Sequence, residues 1–189
     1  MKKTASKHKD SLELVRKHQA NGWCLGADCD VDYRVLKIVA DDRQRLAGRS
    51  GYTKARQANE LCRKILPVAA QRLDVLGMHI CMWQKMVRQK YGDITYGKLQ
   101  DIMAERYQEG CPTIGDTRAA ARELRKCSND YTEELILGEV FHNRDFVGRL
   151  EEVMNQSARV IEMAIDWLAL LIRSICESEE GQEEEYEAL

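Results

Sequence analysis

Apolar residues recur at spacings of three and four along most of the chain, and no period-two alternation runs for a useful length, so helices are the predicted elements. A first helix is expected over about 5–20, ended by Asn21-Gly22, followed by a loop over 21–31. Asp30 or Asp32 then caps a helix to about Leu46, with Val35, Leu36 and Val39 inward. Gly48-Arg49-Ser50-Gly51 breaks the pattern, and Thr53 opens the next helix, which turns Ala58, Leu61, Cys62, Ile65 and Leu66 inward. Pro67 either kinks that helix or starts another at its first position. Ile80, Trp83, Met86 and Val87 continue the pattern until Tyr91-Gly92 closes it.

Thr95 is expected to cap a helix bearing Leu99, Ile102, Met103 and Tyr107, stopped by Gly110. Cys111-Pro112-Thr113-Ile114-Gly115 reads as a turn, and Asp116 opens a short helix to about Lys126. Ser128-Asn129-Asp130 reads as another turn, after which Thr132 caps a helix to about Val140.

The strongest element runs from an Asn143 cap to about 177. Val147, Leu150, Met154, Ser157, Ile161, Ala164, Leu168, Leu171 and Ile175 alternate spacings of three and four, a heptad seam over four repeats. Ile165, Trp167 and Ile172 widen its apolar face beyond that of a two-stranded coil. Two roles fit: the core helix of one bundle, or a homodimer interface through Leu150, Met154, Ile161, Leu168, Leu171 and Ile175. The expected fold is all-α, an irregular multi-helix bundle with helix 143–177 as spine. One helical domain over 1–176 is expected. It comprises a basic segment over residues 1–64, a helix-turn-helix-like segment over 93–142 and the long helix, and an acidic tail over 178–189 follows it.

Composition agrees with a helical, folded chain: 189 residues, two prolines, 44% apolar and 32% charged. The net charge of -2 conceals an asymmetry. Residues 1–64 hold 15 Lys/Arg against 8 Asp/Glu, whereas 177–189 hold seven glutamates and no basic residue. The tail either solubilises the chain or shields its basic surface. The basic N-terminus lacks a following apolar run, so no signal peptide is expected. Seven cysteines, an odd number, fit a reducing cytoplasm and free thiols. The Met163–Ile172 run is about half a membrane span.

Candidate chemistry narrows quickly. His18, Cys24 and Cys29 lack a second cysteine pair at zinc-finger distance, so no metal is expected. Asp28-x-Asp30-x-Asp32 resembles the start of a calcium loop, but Tyr33 and Val39 stand where glycine and glutamate are required. Gly48-Arg49-Ser50-Gly51 lacks the lysine of a phosphate loop. With Arg43, Arg45, Lys54 and Arg56 around it, the same turn and Arg49 form a basic cluster suited to phosphates or to a solvated helix face. No nucleophile elbow or convincing acid–base pair is found, and neither an enzyme nor a cofactor is expected.

Residues 93–130 carry a helix ending at Gly110, the Pro112-Thr113 pair, a second helix through Arg118, Ala119, Ala120, Ala121, Arg122 and Leu124, and the turn at Ser128-Asn129. This stretch resembles the N-terminal DNA-binding module of plasmid KfrA-type proteins. The resemblance implies a helix-turn-helix and DNA as partner. About 90 residues precede the module here, its turn lacks glycines, and Glu133, Glu134 and Glu139 occupy the helix in the recognition position. Arg118, Arg122, Arg125 and Lys126 are therefore the expected contacts, together with the basic head.

Two functions remain open from the sequence. One is a small non-enzymatic nucleic-acid-binding regulator of plasmid or phage type. The other is a helical inhibitor or adaptor that binds a host protein, such as a phage or mobile-element protein that blocks a host enzyme or defence complex.

Overall fold

A computed structural model describes the backbone of residues 51–136 and 144–187, Val39, and the side chains of 56–131 and 146–175. The expected helices over 5–46, Cys24, Cys29, Arg43, Arg45, Arg49 and the Lys54 side chain lie outside the described residues, as does the stretch from 137 to 143. Every described element is helical, and among these residues there is no strand. They are α1 (Gly51–Glu60), a π-helical turn (Leu61–Ile65), α2 (Leu66–Tyr107), α3 (Ile114–Ile136) and α4 (Arg144–Glu187).

Pro67 explains the π-turn. It has no N–H, and its ring would crowd the carbonyl of Arg63 in a regular helix. The wider turn takes up the clash, and Leu66 N–H bonds to Leu61 O, five residues back. Pro67 thus starts α2, while the backbone stays helical from α1 into it.

Gly92 divides α2. Its φ of 78° and ψ of 177° interrupt the helix for one residue, and the helix resumes at once. The expected stop at Tyr91-Gly92 is therefore a kink, and Thr95 is not a cap. The second half redirects Tyr96, Leu99, Met103 and Tyr107 onto α4, with the Tyr96 ring meeting Trp167 edge-on at 5.8 Å. This half ends at Tyr107 rather than Gly110. Gln108 adopts φ 56° and donates its N–H to Ala104 O at 2.8 Å, a left-handed cap.

Helix α3 begins two residues before Asp116. Thr113 is its N-cap and Asp116 the third residue of a capping box. Asp116 N–H reaches Thr113 Oγ1 at 3.2 Å, and Thr113 N–H reaches the Asp116 carboxylate at 2.6 Å. The expected turn at Ser128-Asn129-Asp130 does not exist: α3 runs through it to Ile136. The helix-turn-helix-like arrangement expected there is replaced by one continuous helix. Tertiary bonds hold these turn-forming residues helical. Ser128 is buried and bonds to the Cys62 carbonyl of the π-turn, and Asp130 pairs with Arg149 of α4 at 3.6 Å.

Helices α2 and α3 run antiparallel, since Asp74 meets Arg125 while Gly77 meets Thr117. A β-carbon at Gly77 would overlap Thr117 Oγ1, so the crossing requires glycine. Helix α4 runs antiparallel to α3, with Arg149 beside Asp130 and Arg159 beside Glu109. Leu66, Leu73, Leu76, Ile80, Leu124, Phe146 and Trp167 fill the shared core.

The seam of α4 belongs to this core. Leu150, Met154, Ile161, Leu168, Leu171 and Ile175 are 0–3% exposed within a single chain. Buried within one chain, they belong to its core rather than to an exposed dimer interface. Between Ile161 and Ile172 the helix is buried on nearly every side, which accounts for its wide apolar face. Helix α4 also passes the expected end near 177, with backbone helical through Glu187.

Candidate nucleic-acid interface

At 3.6 residues per turn, Thr117, Ala121, Leu124, Ser128 and Tyr131 fall on one side of α3, and all five are buried. The same periodicity carries Arg125, Arg118, Arg122 and Lys126 across the outward side, in that order from the α2 edge to the α4 edge. All four are exposed, so the structure brings the expected α3 residues together on one face.

They are not equivalent. The Arg125 guanidinium is ion-paired with Asp74 of α2. Arg118, Arg122 and Lys126 make no ion pair or hydrogen bond with any described residue. They occupy successive turns at a rise of about 6 Å, with Ala119 and Ala120 between Arg118 and Arg122 and Glu123 between Arg122 and Lys126. Glu123 and Asp130 bound the face on its α4 side. Arg56 is exposed on α1, and Arg43, Arg45 and Arg49 lie outside the described residues.

The glutamate tail does not cover this face. Arg159 lies beside Glu109, near the start of α3. A helical backbone places residue 179 about 30 Å further along α4. Shielding of the arginines by the tail would require α4 to unwind.

Beside the basic face, α3 and the start of α4 enclose an open groove of about 250 Å³. Phe146, Cys127 and Val153 are its apolar components, and Lys126, Glu123 and Glu152 contribute to its charged lining. Arg149 lies over the Phe146 ring at 5.7 Å.

A second polar cluster joins α2 to α4. Asp166, 4% exposed, accepts a hydrogen bond from the Tyr107 hydroxyl and faces the Arg106 guanidinium at 3.4 Å. Burial, then the Asp166 hydrogen bond, hold the Tyr107 phenol protonated far above its ordinary range. Burial also raises Tyr96 and Tyr131, pushes the Cys111 thiol up to about 11 and lowers His79. Each of these groups is thereby kept neutral, which makes the phenols and this thiol poor nucleophiles at pH 7.

Sequence reasoning missed Asp74, Asp166 and the role of Ser128, because all three act across helices that are distant in sequence. Arg118 and Arg122 were expected contacts from the sequence, whereas their lack of partners is visible only in the fold. No family model matches this chain, and no curated protein or solved structure matches it.

Proposed function

We propose that this protein is a small non-enzymatic nucleic-acid-binding regulatory protein that holds a phosphate backbone on the outward face of α3. The observation that carries the reading is that Arg118, Arg122 and Lys126 are exposed, ordered on one helical face and without carboxylate partners among the described residues. Phosphates neutralise such a face, and counterion release supplies the affinity. The face presents charge on a convex helix, and Asn129 is its one amide. Backbone contact therefore dominates over base readout.

Gel retardation of a labelled duplex at low salt tests the reading. Retention by wild type and its loss in Arg118→Glu/Arg122→Glu support it. Absence of retention by wild type refutes it.

The helical inhibitor or adaptor is favoured by a different observation. Ile94 is 80% exposed, Met78 48% and Ile102 41%, which leaves three large apolar side chains of α2 in water. A complex with a host protein that survives nuclease, is lost in Ile94→Asp/Ile102→Asp and persists in the Arg118/Arg122 variant would favour it.

A further inference from the structure

We infer that Asp74 limits how many phosphates the arginine face engages, by holding Arg125 out of the contact. This rests on the reading of α3 as a phosphate surface. Arg125 lies on that face at its α2 edge, one helical turn from Arg122 and two from Arg118. Its guanidinium is committed to the Asp74 carboxylate, whereas Arg118 and Arg122 have no such partner.

The pair is accessible, with side chains 46% and 35% exposed, so a phosphate can reach it from solvent. An exposed ion pair of this kind is weak, but while it holds, the carboxylate neutralises the guanidinium that a phosphate would otherwise meet. A phosphate approaching Arg125 must displace the carboxylate and tolerate its charge nearby. Asp74 therefore tunes the site without touching the ligand, and its removal adds one cation to the face.

The salt dependence of binding reads this directly, because each neutralised phosphate on duplex DNA contributes about 0.9 to the slope of log K against log salt. Full-length wild type, Asp74→Asn, and Asp74→Asn/Arg125→Gln are titrated with one fluorescent duplex over a series of salt concentrations. Asp74→Asn is expected to bind more tightly at low salt and to steepen the slope by about 0.9. Adding Arg125→Gln is expected to cancel the steepening. Asp74→Ser supplies the same readout through a second substitution.

Equal slopes for wild type and Asp74→Asn overturn the inference while leaving the phosphate reading of α3 intact. A steepening that persists in the double variant also overturns it, by showing that Arg125 is not the cation released. Failure of wild type to bind the duplex at any salt overturns the reading of α3 and this inference with it.

Discussion

The hydroxyl of Ser128 donates to the carbonyl oxygen of Cys62 at 2.5 Å, across 66 residues of sequence. In a regular helix Leu66 N–H would satisfy that carbonyl, but the π-turn redirects it to Leu61. Pro67, the next residue, has no N–H to offer. Ser128 thus supplies from α3 the donor that the π-turn and Pro67 withhold. The same bond keeps a turn-forming residue inside a helix.

Ser128→Ala should leave the buried Cys62 carbonyl without this donor and cost about 1–3 kcal/mol by urea unfolding. Pro67→Ala restores an N–H at the π-turn. It should recover part of the loss in the Ser128→Ala background, and the double-mutant cycle measures the coupling.

The crossing at Gly77 gives a second prediction. Alanine favours a helix interior over glycine by about 1 kcal/mol. Gly77→Ala should nevertheless destabilise, by about 1–3 kcal/mol, because its β-carbon meets Thr117 Oγ1. Thr117→Ala removes that oxygen and should relieve much of the penalty in the double variant. A more stable Gly77→Ala single variant would show that α2 and α3 do not approach so closely.

Asp166→Asn should cost about 2–4 kcal/mol, since Arg106 and the Tyr107 hydroxyl lose a buried anionic partner. Tyr107→Phe should cost less, because Arg106 still faces the carboxylate. Equal losses would show that the phenol alone matters.

Burial lowers the pKa of His79 below its ordinary 6.5. The unfolded chain then binds this proton more readily than the folded one below pH 6.5. His79 should add stability above that pH and withdraw it as pH falls through it. Urea midpoints between pH 7.5 and 5.5 should fall less steeply in His79→Gln than in wild type. Parallel slopes would place His79 in water.

Much of the fold was legible because helical periodicity is local. The α4 seam, the break at Gly92 and a helix starting within two residues of Asp116 all follow from nearby residues. The continuity of α3 was not, because Ser128-Asn129-Asp130 is turn-like by local preference and is held helical by Cys62 and Arg149. The role of the seam was illegible for a related reason. Leu168 and Leu171 pack equally well by pattern against a second copy or inside a single chain, and only the tertiary arrangement buries them in one chain. The residues of the arginine face were named from the sequence, whereas the Asp74 pair that divides it was not legible there.

The central claim is that unpaired α3 cations carry a phosphate backbone. Its most direct test is the salt dependence of duplex binding by wild type and by Arg118→Gln/Arg122→Gln. Both side chains are exposed, so the variant should fold as wild type does. The account predicts weaker binding by the variant and a slope of log K against log salt shallower by about 1.8. Equal affinity and equal slope in the two proteins, or binding by wild type that is indifferent to salt, would contradict it.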